Sequence, residues 1–384
     1  MKNIYTLILS LFFCFYLNAK NLSDYPSIWM YQINDNTKLC SLTIPGTHDT
    51  GATSGSAVGA KCQTASIKSQ LESGIRFLDI RLRPSGTRLE VCHGIIGMGI
   101  YFEEDVMNIC KEFLGNNPTE TIFMSIKLDD GSSADYLSLL NTSLNSPENQ
   151  SFLLKSVTPS TTLGNARGKI VCFHRNKPNW NYYGYEFNGF SDNTTFSNNL
   201  NSYYGTTTSF KAQDYYSISK GALKGVDYDG KADAITALLD ESYNNTANKW
   251  FINFLSGTAM ANLANPETVA KKIGPRIMTY LQGKGFGNYG VVLMDFANSK
   301  ETSGPELTNF LINCNNKYAD FTLNNIKKDN NAELIINVVD GEIMIQNSDE
   351  PFEVYTLTGI KTSNTPPRGV YIVKVNNKAI KVKI

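Results

Sequence analysis

Between residues 39 and 296, short β-rich runs alternate with longer polar or helix-patterned stretches, and this alternation limits the fold more than any other feature of the chain. The eight runs are Leu39 to Ile44, Ile75 to Leu82, Arg88 to His93, Thr121 to Leu128, Lys169 to His174, Lys211 to Ser217, Lys249 to Leu255 and Tyr289 to Phe296. Most are too apolar for one-sided antiparallel strands, as expected of a parallel sheet covered on both faces. The clearest helix between them opens at Asn265-Pro266-Glu267, which supplies a cap, a proline at the first helical position and an acid in the first turn. Val269, Ile273, Ile277 and Leu281 then form one apolar face, and Gly283 marks the end. Similar faces run through Val106, Ile109, Cys110, Phe113 and Leu114, and through Ile235, Leu238 and Leu239. The pattern predicts an α/β chain: a (β/α)8 barrel of the TIM type, distorted or incomplete. The incomplete part is expected at residues 176–210, rich in Asn, Tyr, Thr, Ser and Gly and without helical period.

The two ends differ from this pattern. Met1-Lys2-Asn3, the apolar run Ile4 to Leu17 and Leu17-Asn18-Ala19 read as a signal peptide over residues 1–19. The run is shorter than the roughly 20 residues a bilayer span requires. Bulky Phe12 and Phe13 disfavour lipoprotein processing at Cys14. A helix is expected near Pro305 to Asn315, and beyond it Leu334 to Val339, Glu342 to Gln346, Phe352 to Leu357 and Gly369 to Val375 alternate like half-buried strands between Gly, Asn and Pro turns. The expected organisation is therefore a signal peptide (1–19), a barrel (20–320), a linker (321–330) and a small all-β sandwich (331–384).

Composition narrows the function. Of 384 residues 41% are hydrophobic and 18% charged, enough for a full core and too little charge for a disordered chain. With 35 Lys+Arg against 35 Asp+Glu, the chain lacks the cationic excess of a nucleic-acid binder. Apart from Cys14, the cysteines are Cys40, Cys62, Cys92, Cys110, Cys172 and Cys314. Wide spacing without C-x-x-C speaks against a zinc site, and buried free thiols are expected. One or two disulfides are the alternative in an oxidising compartment, and the sequence does not choose among pairings.

In such a barrel the chemistry sits where strands end. Those ends carry Gly46-Thr47-His48-Asp49, then Asp79 and Arg81, His93, Lys127, Asp214 with Tyr216, and Asp295. Two His flanking an Arg suit phosphodiester cleavage. A neutral imidazole accepts a proton from the attacking hydroxyl, an imidazolium protonates the leaving oxygen, and a guanidinium holds the phosphate oxygens as their charge grows. Asp49, Asp79 and Asp295 are available to orient the two imidazoles, and the set is complete without a metal or cofactor. No H-E-x-x-H, G-x-S-x-G or G-x-x-x-x-G-K-[ST] occurs. A glycosidase reading uses the carboxylates but leaves His48, Arg81 and His93 idle.

These residues lie in segments that resemble the bacterial phosphatidylinositol-specific phospholipases C. Ser41-Leu42-Thr43-Ile44-Pro45-Gly46-Thr47-His48-Asp49-Thr50 is similar to the family's opening motif. Gln70 to Arg81, Val91-Cys92-His93-Gly94, Asn117 to Lys127, Arg167-Gly168-Lys169-Ile170 and Met294-Asp295-Phe296 follow in the family's order, so the likeness spans roughly residues 27 to 298. The resemblance implies a metal-independent lyase acting on phosphatidylinositol. His48 is the base toward the inositol 2-hydroxyl, His93 the acid for the departing diacylglycerol, and Arg81 the phosphate ligand. Asp295 supports His48, while Asp49 and Asp79 support His93. Lys127, Arg167, Asp214 and Tyr216 match positions that contact the inositol ring, with Tyr215 a rival to Tyr216.

Val354-Tyr355-Thr356-Leu357-Thr358-Gly359, Arg368-Gly369-Val370-Tyr371-Ile372-Val373-Lys374-Val375 and Lys381-Val382-Lys383-Ile384 resemble the C-terminal sorting domain of type IX secretion. This likeness implies a secreted or surface-exposed protein that engages the secretion machinery. The expectation is a monomer in transient contact with a membrane surface. Glycosylated inositol lipid anchors, soluble glycerophosphoinositol and a non-catalytic lipid-binding module are the alternatives.

The chain departs from the family it resembles: the tryptophans that anchor some of its members to membranes are not evident, since Trp29 belongs to the N-terminal match, Trp250 begins a strand and only Trp180 lies in a loop. Tyr182-Tyr183-Gly184-Tyr185 and Tyr203-Tyr204 are candidate substitutes, with an ordinary loop the alternative. His174 beside Arg175 is expected to be solvated or hydrogen-bonded. Cys92 is expected on the opposite strand face from His93.

Overall fold

The computed structural model describes residues 21–55, 59–176, 183–202, 208–243, 245 and 248–321, and in the C-terminal part 336–339, 342–345, 352–356, 360–367, 369–375 and 378–383. The chain divides into two compact units, residues 1–321 and 322–384. The signal-peptide segment, the linker beyond Phe321, Trp180, Tyr182, Tyr203 and Tyr204 lie outside the described residues.

The first unit contains strands β1 (Ile44–Thr47), β2 (Phe77–Ser85), β3 (Arg88–His93), β4 (Ile96–Tyr101), β5 (Ile122–Leu128), β6 (Ile170–His174), β7 (Tyr185–Phe187), β8 (Thr195–Ser202), β9 (Thr208–Gln213), β10 (Lys249–Phe254) and β11 (Val291–Met294). Their order is β1-β11-β10-β9-β8-β7-β6-β5-β2, and the pairing of β1 with β2 closes the ring. Every pairing in the ring is parallel except those of β8, which runs antiparallel to both β7 and β9. The helices are α1 (Ile67–Glu72), α2 (Asn108–Asn116), α3 (Ser133–Leu144), α4 (Pro147–Gln150), α5 (Leu163–Ala166), α6 (Tyr228–Tyr243), α7 (Pro266–Lys284) and α8 (Gly304–Asn313). The expected cap of α7 is present, with Asn265 accepting from the Thr268 N–H, but the helix passes Gly283 and is capped by Gly285.

Three expectations need correction. Arg88 to His93 is not a stave: it pairs antiparallel with β2 and β4 as a side hairpin. The first stave begins only at Ile44, because Leu39–Ser41 forms a 3-10 turn. The interval 176–210 does not leave a gap, because β7 completes the parallel set and the reversed β8 replaces a crossover helix. Tyr183 and Tyr185, candidates for an exposed surface, are buried there, as are Trp29 and Trp250.

Period two sorts the staves into two cores. Phe77, Phe123, Phe173, Phe210, Trp250 and Leu293 form the interior cluster, while Leu78, Ile80, Met124, Cys172 and Val292 pack outward under the helices. Phe173 is the hub of an aromatic floor, with ring centroids 5.5 Å from Phe77, 5.0 Å from Tyr185 and 5.1 Å from Trp250. Continued along the same parity, these positions lead at the strand ends to His48, Arg81, Lys127, Arg175, Asp214 and Asp295, so one face of each stave is apolar below and polar above.

Below the floor a buried ion pair closes the barrel. Arg76 immediately precedes β2, with its guanidinium 2.8 Å from Glu120, two residues before β5, and also donates to the carbonyls of Leu71, Ile75, Pro26 and Ser27. The second unit has two antiparallel sheets. One is β12 (Ile336–Val339) with β13 (Glu342–Ile345), and the other is β14 (Phe352–Thr356), β15 (Lys361–Thr362), β16 (Val370–Val375) and β17 (Lys378–Lys383) in the order β15-β14-β16-β17. Ile343, Val354, Val373 and Val375 form its core.

Removing one partner of a buried pair leaves an uncompensated charge. Arg76→Leu is therefore expected to cost about 3–5 kcal/mol in urea unfolding, and a loss within experimental error would show that Glu120 is satisfied without it.

Candidate active site

At the carboxyl ends of the staves a cavity of about 510 Å³ opens between His48, Arg81, His93, Lys127, Asp214 and Asp295. His48 follows β1, and its Nδ1 lies 2.8 Å from Asp295 Oδ1, just beyond β11. On its other side Nε2 is 2.7 Å from an Arg81 guanidinium nitrogen. A guanidinium only donates, so Nε2 is the acceptor and the proton sits on Nδ1, donated to Asp295. That is the tautomer a general base needs, with its lone pair turned into the cavity. Burial and the neighbouring Arg81 hold the imidazole well below its ordinary pKa, so it is neutral.

Arg81 is held by carboxylates behind it: Nε lies 3.0 Å from Asp49 Oδ1, and a terminal nitrogen 3.2 Å from Asp79 Oδ2. Burial alone would raise Asp79, but Arg175 and Arg81 outweigh it and keep the group ionised. Asp49 has a positive φ of 42°, which turns its side chain back under the site. Its Oδ2 is buried, makes no hydrogen bond, and lies 3.6 Å from both His48 Nε2 and His93 Nε2. Burial pushes Asp49 up to about 6 despite Arg81 and His93. Leaving such an oxygen unpaired is costly, and the geometry places it where charge on either imidazole is felt. His93 enters from the side hairpin, its Nδ1 3.0 Å from the Ala60 carbonyl, so Nε2 faces the cavity. Burial and Asp49 raise Asp295 well above an ordinary carboxyl.

The remaining expected residues divide. Lys127 lines the cavity and pairs with Asp129 at 2.6 Å. Asp214 also lines it, with its proton affinity raised chiefly by burial. Tyr216 faces it and donates to Asp192 at 3.1 Å, whereas Tyr215 turns away to Asp227, so of the two it is Tyr216 that stands at the cavity. Arg167 is a correction. It lies between α5 and β6 at the opposite barrel end, donating to the Met30, Thr119 and Ile33 carbonyls and paired with Asp35. It ties the N-terminal segment to the floor and does not reach the cavity.

The cation that does is Arg175. Its guanidinium lies 3.4 Å from Asp79 Oδ1, donates to Ser125 Oγ and stacks 4.1 Å over Phe190. The signal was present in the sequence: with Val171 and Phe173 inward, period two turns Arg175 inward and His174 outward. His174 is buried rather than solvated, hydrogen-bonded to the Tyr183 carbonyl at 2.9 Å. Asp129 was also missed; it accepts from Gly94 N–H and, despite burial, is held ionised by Arg81 and Lys127. All six described cysteines are free and buried, Cys92 among them. Among the described residues His48, Asp49 and Cys62 approach closely enough to share a cation, but burial keeps the Cys62 thiol protonated and Arg81 already occupies Asp49.

A family model described as phosphatidylinositol-specific phospholipase C, X domain, matches residues 36–176. The chain is 28% identical over 298 residues to a 1-phosphatidylinositol phosphodiesterase of Staphylococcus aureus, covering 73% of this chain and 91% of that protein. It is 28% identical over 286 residues to the protein so named in Listeria monocytogenes, covering 70% and 80%. A solved phosphatidylinositol-specific phospholipase C variant from S. aureus aligns with TM-score 0.69 and 28% identity over 77% of this chain and 98% of that one. The Listeria structure aligns with TM-score 0.58 at 24% identity, a likeness of fold.

Burial lowers His174 from 6.5 to about 4. The unfolded chain therefore binds the extra proton first, and His174 stabilises the fold above its unfolded pKa and loses that contribution as pH falls toward its folded one. His174→Gln, which keeps a donor toward Tyr183, should lose less stability than wild type in urea unfolding between about pH 7 and pH 4.5; equal losses would show that His174 titrates normally in the fold.

Proposed function

We propose that this chain is a phosphatidylinositol-specific phospholipase C, a reading supported by the X-domain match over residues 36–176 and the likeness to 1-phosphatidylinositol phosphodiesterases, and that it cleaves phosphatidylinositol by intramolecular attack, giving diacylglycerol and inositol 1,2-cyclic phosphate. The observation that carries this reading is the order Asp295, His48, Arg81 on one side of the cavity and His93 on the other, with Asp49 Oδ2 equidistant from the two imidazoles. Neutral His48 takes the proton of the inositol 2-hydroxyl at Nε2, and Asp295 supports the imidazolium that forms. The oxygen attacks phosphorus while Arg81 binds the phosphate oxygens whose charge grows. His93, protonated and facing Asp49, gives its proton to the glyceride oxygen as the phosphorus–oxygen bond breaks. Water then opens the cyclic phosphate with the two roles exchanged. Lys127, Arg175 and Asp214 supply charged partners for ring hydroxyls, and Tyr216 an aromatic wall.

This is a phosphodiester-cleaving enzyme that works without a metal, because Arg81 supplies the positive charge next to the phosphate. Export through the 1–19 leader and surface routing by residues 331–384 belong to the same proposal, supported by the leader pattern and the sorting-domain likeness.

The lipid-facing side is read from the rim. Leu223 and Leu263 are 98% and 89% exposed, and both sit in the left-handed region at φ 61° and 58°, a conformation that costs a branched side chain energy. Their loops follow β9 and β10 and are laced together by Ser219 Oγ to Asn262 at 2.6 Å and Asn262 to the Gly221 carbonyl at 3.2 Å. Met260, from the same pair of loops, lines the cavity, and Ile95, 74% exposed, adjoins lining residue Gly94. Exposed Lys220 and Lys224 flank Leu223 and suit an anionic surface.

Phosphorus NMR of the full chain with phosphatidylinositol in detergent and chelator should show a five-membered cyclic phosphate. His48→Ala should lower its rate by about 10² to 10⁴ while leaving the fold intact; near-wild-type turnover in that variant sinks the mechanism. The Leu223→Ser/Leu263→Ser double variant should lose roughly tenfold or more on vesicles, from the apolar area no longer buried, with turnover of soluble glycerophosphoinositol unchanged. Equal losses on both substrates would remove the rim from lipid docking.

A further inference from the structure

Lys231, on the first turns of α6, is fully buried, which a lysine rarely is without an ion-pair partner. No such partner occurs among the described residues. Its Nζ donates instead to two neutral oxygens, the Phe254 carbonyl at 2.7 Å and Gln213 Oε1 at 3.2 Å. A methionine would fill the same volume without removing an ammonium from water, so the amine's hydrogen bonds need another reason.

They meet at a junction. Gln213 Oε1 also accepts the Tyr215 N–H at 2.7 Å, and Gln213 Nε2 donates to Asn253 Oδ1 and to the Phe254 carbonyl, both at 2.8 Å. Gln213 and Asn253 face each other across β9 and β10, so one closed set of bonds clasps two strand ends from outside the barrel. Each strand end passes directly into the cavity. After Gln213 come Asp214 and Tyr216, which line it. The Phe254 ring meets the His48 imidazole at a near right angle, with centroids 6.0 Å apart at 85°, and lies 5.3 Å beneath the Arg175 guanidinium.

We propose that Lys231 is a positioning residue of this active site: by holding the Gln213 side chain to the Phe254 carbonyl it sets the headgroup wall Asp214–Tyr216 and the ring on which His48 rests. The inference rests on the phospholipase reading for its kinetic consequence but not for its geometry. Burial brings the amine down to about 7, with Asp214 and Asp295 opposing the fall, so the cavity's own carboxylates reach it. Either protonation state keeps two N–H donors for the two oxygens.

The test uses the full chain as wild type, Lys231→Met and Gln213→Met, the last breaking the same clasp from the strand side. Soluble glycerophosphoinositol is the substrate, and each protein is checked for folding by circular dichroism. Both variants should raise KM about tenfold with kcat changed less than threefold, and the double variant should be no worse than either alone. Independently of activity, loosening Phe254 should move the His48 ring signal in proton NMR while leaving His174 in place, in a chain with only 3 His to assign. A lower melting temperature with KM, kcat and the His48 signal unchanged would overturn the proposal and leave Lys231 a structural residue. If Lys231→Met does not fold, Gln213→Met decides by the same readouts. A wild type that leaves the substrate intact refutes the phospholipase reading instead, and Lys231 is then judged on the His48 signal alone.

Discussion

Charges taken out of water have to be answered by other charges, and at the top of this barrel the answer is an alternating chain: Arg175, Asp79, Arg81, then Asp49 and the imidazoles. No member is stable there alone. Asp79 keeps its charge because two guanidiniums face it, and those guanidiniums tolerate burial because Asp79 lies between them and Asp49 also pairs with Arg81. The same chain fixes the base. A guanidinium cannot accept a hydrogen bond, so Arg81 turns the lone pair of His48 toward itself and the proton toward Asp295. On the proposed mechanism, a phosphate bound to Arg81 would take the place of His48 Nε2 and leave its lone pair facing the attacking hydroxyl.

Beneath this layer the interior is apolar, with Phe173 touching Phe77, Tyr185 and Trp250. The division follows from chain direction, since parallel staves all bring their carboxyl ends to one rim. Polar residues at one end and aromatic ones at the other, repeated on each stave with one parity, sort into layers without further instruction. The reversed strand β8 keeps that parity problem local. The turn between β7 and β8 lies at the catalytic rim and supplies Phe190 and Asp192 to the cavity, where a crossover helix would have supplied neither.

Much of this was legible. Buried parallel strands are continuous apolar runs, so six of the eight β runs lie on staves of the ring and Leu39 to Ile44 reaches one at its last residue, while Arg81, Lys127, Asp214 and Asp295 stand at strand ends that the runs already delimit. What escaped was pairing. Arg88 to His93 has the composition of a stave, and only its partners reveal a hairpin. Residues 185–202 lack a strong apolar signal because β8 is covered on one side and short of hydrophobic residues. Arg167 and Arg175 flank one strand, and a motif centred on the first drew attention from the second, although parity along Val171 and Phe173 favoured Arg175. The exposed leucines at 223 and 263 carry no periodic signal, since their meaning depends on two distant loops meeting beside the cavity.

His48 just follows β1 and Asp295 lies just beyond β11, paired staves separated by most of the first unit's sequence. Hairpins such as β7 with β8 join across short loops, whereas the β1–β11 pairing spans a long stretch of chain and carries the larger loop-closure cost. The bond that orients His48 therefore depends on a pairing of high sequence separation. Without that pairing Arg81 would keep its place on β2 but His48 would lack the Asp295 partner that sets its tautomer, so the cluster is complete only in the closed barrel.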